Sequence, residues 1–159
     1  MSAVKTNVMR ILDRAKVDYQ PHFYKHKEGE AVDGVSVAAQ LGEPVERVFK
    51  TLVTKGAHSY FVFVVPVAKE LDLKVAARSV GEKSVEMIPV KEINKVTGYI
   101  RGGCSPIGMK KQYATVIDTS AQLHGKIIVS GGKIGTQVEL APQTLAQLTG
   151  ASFAEITTT

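Results

Sequence analysis

"KTLVTKGAHSYFVFVVPV", Lys50 to Val67, decides the fold class of this chain. Two strand-like runs, Lys50–Lys55 and Ser59–Val67, flank Gly-Ala-His, and this pattern predicts a hairpin. The second run is apolar on both faces, so it is expected at the centre of a sheet that is covered on both sides. With Phe49 in front, the first run also contains "FKTL", which sets a lysine at the start of a buried strand.

Toward the N-terminus, Val4, Val8, Ile11, Leu12 and Ala15 recur at helical spacing and predict an amphipathic helix. "DYQPHFY" reads as a short strand and "KHKEGEAVDG" as a polar loop with two glycines. Ser36 is expected to cap a helix through "VAAQL" that Gly42 ends, and "EPVERVF" is expected to be a short helix. Toward the C-terminus, "KELDLKVAARSVG" predicts a helix with Leu71, Val75 and Ala76 on one face, and "SVEMI" a strand. "PVKEINKVTG" and "PQTLAQLTG" both begin with proline and end with glycine, a helical signature. "YATVID", "KIIVSGG" and "TQVELA" are strand-like, and "SFAEI" follows the final helix. Helices and strands alternate irregularly, with hairpin-like pairs. The prediction is an α+β or mixed α/β domain, not a repeated βαβ array.

The length of 159 residues suits one domain spanning 1–159. A chain of this size buries roughly 70% of its unfolded surface and needs no staple. One cysteine excludes an internal disulfide and a cysteine-based zinc cluster, and the four histidines show no ligand spacing. No metal and no cofactor is expected. The first residues lack the continuous apolar region of a signal peptide, and "YFVFVVPVA" is too short to span a bilayer. A cytoplasmic protein without membrane association is the expectation. A net charge of +5 suits an anionic partner such as nucleic acid or a phosphorylated ligand. There is no GxGxxG after the first strand and no GxxxxGK[ST], so dinucleotide and P-loop sites are unsupported.

Three segments put small residues beside a reactive or charged one: "FKTL" (Phe49–Leu52), "GGCSP" (Gly102–Pro106) and "VSGG" (Val129–Gly132). Paired glycines let the backbone approach a ligand and aim N–H groups at it, as an oxyanion requires. Lys50 can present a fixed positive charge, and Ser130, ahead of two glycines, a little-shielded hydroxyl. Each has a plainer reading: tight turns, a solvated strand-end lysine, ordinary turn serine chemistry. Cys104 reads as a small packing residue, because no histidine lies near it in sequence to activate the thiol. Tyr24 and His26 border the polar loop and either line a pocket or lie at the surface.

Taken together, "FKTLV", "VTGY" (Val96–Tyr99), "GGCSPIGMKK" and "IIVSGGKIG" resemble the YbaK/EbsC family in order, spacing and overall length. The resemblance covers nearly the whole chain. It implies a compact, barrel-like mixed sheet surrounded by helices. It also implies a free-standing aminoacyl-tRNA deacylase, related to the editing domain inserted in bacterial prolyl-tRNA synthetases. The subgroup this chain looks closest to removes cysteine mistakenly attached to proline tRNA. By the same resemblance the essential lysine falls on Lys50, followed by Thr51 as a pocket residue. The glycine-loop role falls on Gly102 and Gly103, the hydroxyl of the "SGG" turn on Ser130 beside Gly131, and a pocket-mouth tyrosine on Tyr24. Two positions depart from the family. Cys104 stands where an isoleucine or another apolar residue is common, and Asp33 precedes Gly34 where close members carry an aromatic residue.

The implied partners are the acceptor end of an aminoacyl-tRNA and, in a transient complex, prolyl-tRNA synthetase. The implied reaction is ester cleavage assisted by the substrate's own thiol, with position and electrostatics supplied by the protein. Three other readings stand beside it. One is an alanine-tRNA(Pro) deacylase using water. Another is a non-catalytic tRNA- or synthetase-binding module, and the last is a regulatory role at the cell envelope.

Overall fold

The computed structural model describes residues 5–158. The hairpin that opens the reading is its centre. Strand β2 (Phe49–Lys55) pairs antiparallel with β3 (Tyr60–Pro66), from Phe49 opposite Pro66 to Lys55 opposite Tyr60. The Gly56 N–H donates to the Ser59 carbonyl at 2.8 Å and closes the turn. Phe61 to Pro66 are all buried, so β3 is covered on both faces as its composition requires.

Around the hairpin the chain builds two sheets. The larger has the order β4–β2–β3–β5–β8, with β4 Glu86–Met87, β5 Ala114–Asp118 and β8 Ser152–Ala154. β5 lies parallel to β3, and β8 parallel to β5. Parallel neighbours need crossover connections, and helices supply them. α3 (Leu73–Ser79) and α4 (Ile93–Thr97) lie between β3 and β5, and α5 (Pro142–Thr149) precedes β8. The smaller sheet is the antiparallel set β1–β7–β6, from Gln20–Phe23, Thr136–Leu140 and Ile127–Lys133. The sheets meet at one parallel bridge, Val48 to Ile128. Among the described residues the strands form these two open sheets and no closed barrel, so the barrel-like part of the expected fold reduces to two sheets joined at a seam.

α1 (Asn7–Arg14) places Val8, Met9 and Leu12 on the main core, against Ile117, Ile127, Val129, Leu140 and Leu145. Each such side chain contributes about 1.5–3 kcal/mol by leaving water. Val4, part of the expected apolar stripe, lies outside the described residues.

Four local expectations are corrected. The cap of α2 (Gly34–Leu41) is Asp33, not Ser36. Its carboxylate accepts from the Ser36 N–H at 3.0 Å and the Ser36 hydroxyl at 2.7 Å. "EPVERVF" makes only one 3-10 turn, Val45–Arg47, because Val48 is already extended into its bridge with Ile128. "PVKEINKVTG" splits into a 3-10 turn at Val90–Glu92 and the short α4. "SGG" is a bulge inside β6 and not a turn, since the register with β7 shifts between Ser130 and Lys133.

Candidate functional site

The site follows from the seam between the sheets. β4 pairs with β2 only at Thr54 and Lys55. From Phe49 to Leu52, the edge of β2 away from β3 has no ladder partner among the described residues. Strands held together at Val48 and splaying beyond it leave a cleft of about 120 Å³.

Segments distant in sequence border that cleft. Tyr24, just past β1, is buried and fixed by its N–H bond to the Gly135 carbonyl. Gly34 and Val37 bring the first turn of α2 to it. A Cβ on Gly34 would lie 2.2 Å from the Val67 side chain, so only glycine permits this approach. Lys50 and Thr51 come from the open edge of β2, Gly102 and Cys104 from the loop after α4, and Ser130 and Gln137 from opposed positions of β6 and β7.

Among the described residues Lys50 is the one charged side chain on the lining, and it makes no ion pair with any of them. A half-buried cation with no carboxylate beside it suits an anionic or electron-rich group on a ligand. Ser130 Oγ accepts from the Gly132 N–H at 3.2 Å, which leaves its own proton to donate. Thr51 Oγ1 and Gln137 Oε1 are buried with no hydrogen-bond partner among the described residues. Each unmade bond costs about 1–3 kcal/mol, so a ligand supplying both partners would bind with that cost relieved.

The expected residues divide. Tyr24, Lys50, Thr51, Gly102 and Ser130 meet at the cleft; Gly103 and Gly131 do not border it. Gly103 packs on the β6–β7 hairpin, where a Cβ would sit 3.0 Å from the Ile134 nitrogen, and its N–H is committed to the Ile100 carbonyl at 2.9 Å. Gly131 packs on Thr136. Gly102 has φ +87°, and a Cβ there would lie 2.7 Å from that of Ala31. The loop before α2 is thereby held against the glycine loop. Cys104 packs with the apolar cluster of Val53, Val62 and Met109 while bordering the cleft. Burial pushes its thiol up to about 11, against a smaller lowering by the Thr97 hydroxyl. A thiol held protonated is a poor nucleophile. Asp33, at the departure noted above, is committed to capping α2, and the Ser36 hydroxyl and N–H bonds hold its carboxyl below the usual range.

Gln137 was not singled out in the sequence. The sequence carried no signal for it: in "TQVEL" Gln137 follows Thr136 and alternates onto the same face as Glu139, the side a strand pattern leaves polar. Outside the cleft, His22, Glu43 and Glu139 come together with ligand atoms within 4.8 Å of one another. Arg47 already bridges the two carboxylates, donating to Glu43 and Glu139 at 2.7 Å each, while His22 lies 2.6 Å from Glu139. This cluster is a closed ion-pair network. Burial raises the Glu139 carboxyl, and the His22 and Arg47 bonds outweigh it, so the net shift is downward.

Fold and cleft together define a small α+β domain with a single-cation pocket at a sheet seam. The comparisons with known proteins carry this further. The family model "Aminoacyl-tRNA editing domain" matches residues 28–148, and the chain belongs to that family. It is 49% identical over 155 residues to the Enterococcus faecalis protein named "Putative Cys-tRNA(Pro)/Cys-tRNA(Cys) deacylase EbsC", spanning 97% of this chain and 94% of that one. It is 34% identical over 74 residues to the proline–tRNA ligase of Fervidobacterium nodosum, 46% of this chain and 13% of the ligase. The fold matches, with TM-score 0.81 and 21% identity, a solved structure described as "a putative trans-editing enzyme for prolyl tRNA synthetase", over 99% of this chain and 100% of that one. Among the described residues no helix is long and apolar enough to cross a membrane.

Proposed function

We propose that the chain, acting as one domain over 1–159, is a trans-acting aminoacyl-tRNA deacylase that removes cysteine from proline tRNA. The observation that supports this best is the meeting of Lys50, Thr51, Gly102 and Ser130 at one small cleft that carries unsatisfied polar atoms on its wall. The similarity to the E. faecalis protein supports the choice of cysteine.

The reaction needs little from the protein beyond geometry. The amino acid is held as an ester on the terminal ribose. In a bound cysteine the thiol sulfur attacks its own carbonyl carbon, forming an S–C bond as the C–O ester bond breaks. The thiol proton passes to the departing ribose oxygen, and the cyclic thioester released is later opened by water. Holding sulfur near carbonyl is the entropic part of the barrier. Gly102 on the glycine loop and the Ser130 hydroxyl serve the oxyanion, and loss of one such donor typically costs about 3 kcal/mol of barrier. Gln137 Oε1 and Thr51 Oγ1 take the α-ammonium and the thiol. Lys50 takes the terminal phosphate or the carbonyl oxygen as charge develops there. Prolyl-tRNA synthetase, in a transient complex, would supply tRNA selectivity that a chain this small has little surface to provide.

The test is single-turnover deacylation of Cys-tRNA(Pro), with Ala-, Ser- and Pro-tRNA(Pro) beside it. Wild type is expected to clear the cysteinyl ester and spare the others. Lys50→Ala is expected to lose at least about 100-fold with an unchanged melting curve, as the loss of a charge-assisted bond in a desolvated site implies. Full activity in that variant overturns the site assignment. Clearance of alanine instead of cysteine makes water the nucleophile. RNA binding without cleavage of any ester makes the chain a binding module.

A further inference from the structure

Behind the cleft, the ion-pair network of Arg47 spans the seam between the sheets. We propose that Arg47 is a positioning residue: with Glu139 it clamps the seam and so sets Lys50 against Ser130. The proposal rests on the deacylase reading above and deepens it.

The seam is a V with its apex at the parallel bridge of Val48 with Ile128. Lys50 lies two residues beyond Val48, and Ser130 two residues beyond Ile128, on strands that leave the apex in the same direction. Each arm, from apex to site residue, is therefore about 7 Å long. At that length, a change of about 10° in the opening angle moves one site residue by about 1 Å against the other. A misplacement of that size can cost about 100-fold in rate. Beyond the apex no ladder bond fixes the angle, since among the described residues the edge of β2 from Phe49 to Leu52 is unpaired on this side.

Arg47 closes the V from behind. It precedes Val48, and its Nε donates at 3.1 Å to the carbonyl of Lys126, two residues before Ile128. One bond thus ties the two arms on the far side of the apex. Nη1 donates to Glu43 and Nη2 to Glu139, at 2.7 Å each. Glu139 stands on β7 two residues from Gln137, which pairs with Ser130. Its other carboxylate oxygen lies 2.6 Å from His22 Nε2 on β1. The guanidinium therefore reaches the whole smaller sheet, β6 at its entry, β7 through Glu139 and β1 through His22. The Arg47 and Glu139 side chains are 25% and 15% exposed, so these charge-assisted bonds are partly sheltered from water and hold one geometry. The planar fork matters here. An ammonium in its place neutralises the two carboxylates but does not direct three bonds in one plane.

The test pairs a rate with a spectrum. Arg47→Lys keeps a charge between the carboxylates and loses the fork; Arg47→Met loses both. In single-turnover deacylation of Cys-tRNA(Pro) at saturating protein, Arg47→Lys is expected to fall about 5-fold and Arg47→Met at least about 10-fold, with the half-saturating protein concentration within about 2-fold of wild type. Because the loss acts through Lys50, neither change is expected to slow a Lys50→Ala protein by more than about 2-fold. Losses of equal size in both backgrounds mark a merely structural role and overturn the proposal. So does a wild-type rate in Arg47→Lys. Melting curves check folding, and Arg47→Lys carries the test if Arg47→Met does not fold. Backbone amide NMR reads the seam without cleavage. In Arg47→Lys the amides of Thr51 on one arm and Ser130 on the other are expected to shift or broaden together, while that of Phe153 on β8 stays. Unchanged Thr51 and Ser130 amides overturn the proposal. If they respond but wild type cleaves no mischarged tRNA, the deacylase reading fails and the clamp stands.

Discussion

Gly102→Ala tests whether the glycine loop shapes the site. Gly102 has φ +87°, where an alanine costs about 1–2 kcal/mol. A Cβ there would also lie 2.7 Å from the Ala31 Cβ and 3.0 Å from its Cα, well inside contact distance. Ala31 sits in the exposed loop before α2 and can yield, so overpacking adds about 1–2 kcal/mol, at the low end of its usual range. The sum, about 2–4 kcal/mol, lowers Tm by about 4–16 °C in a domain of this size. Gly81→Ala is the control. Gly81 has φ +73° with nothing within 4 Å of an added Cβ, so it carries the backbone cost alone, a fall of about 2–8 °C. Differential scanning calorimetry measures both. Single-turnover deacylation at a temperature below both transitions measures the site, and there Gly102→Ala is expected to lose activity while Gly81→Ala keeps it. Adding Ala31→Gly removes the nearer contact and is expected to restore part of the stability. The reasoning is refuted if Gly102→Ala is no less stable than Gly81→Ala, or if it deacylates at the wild-type rate.

Two further outcomes are expected. Cys104→Ala should leave deacylation nearly unchanged. Because burial raises this acid from 9.0 to about 11, the folded state keeps a proton that the unfolded state loses, so stability falls as pH rises from about 9 to 11. The fall amounts to roughly 2 kcal/mol between pH 8 and pH 10.5, and urea unfolding at those two values should show it in wild type and much less in the variant. Gln137→Leu removes a buried acceptor without a partner and should raise stability by about 1–2 kcal/mol in the same assay while lowering kcat/KM for the cysteinyl ester; a variant both less stable and fully active refutes that role for Gln137.

Much of the fold could be read from local pattern, because local physics decides those elements. β3 is apolar on both faces and is central, between β2 and β5. α5 begins at Pro142 and ends at Gly150 in the left-handed region, as proline-first and glycine-last sequences do. The helix cap failed for a physical reason. Asp33 and Ser36 are both good caps three residues apart, and here the carboxylate takes the N–H and the serine hydroxyl as well. The pairing of β1 with β7, and the parallel placement of β5 beside β3, join segments too far apart for any periodicity to report. The open seam between the sheets follows from those pairings and was hidden for the same reason.

That seam explains which site residues could be read and which could not. Lys50 and Ser130 stand out locally, one a cation opening a buried strand, the other a hydroxyl before two glycines. Gly102 and Gly103 look alike in sequence and differ in three dimensions. The turn from Ile100 commits the Gly103 N–H and turns that residue onto the β6–β7 hairpin, while Gly102 stays at the cleft. Gln137 has no motif at all. It belongs to the site because the register of β6 and β7 sets it opposite Ser130, and because the cleft leaves its carbonyl oxygen unpaired. A buried polar atom kept without a partner is a standing cost to the fold, and a bound substrate is what can offset it. Cys104 shows the converse. It is the most reactive residue type on the lining, yet its burial keeps it protonated, so the sulfur that acts in the proposed reaction is the one the substrate brings.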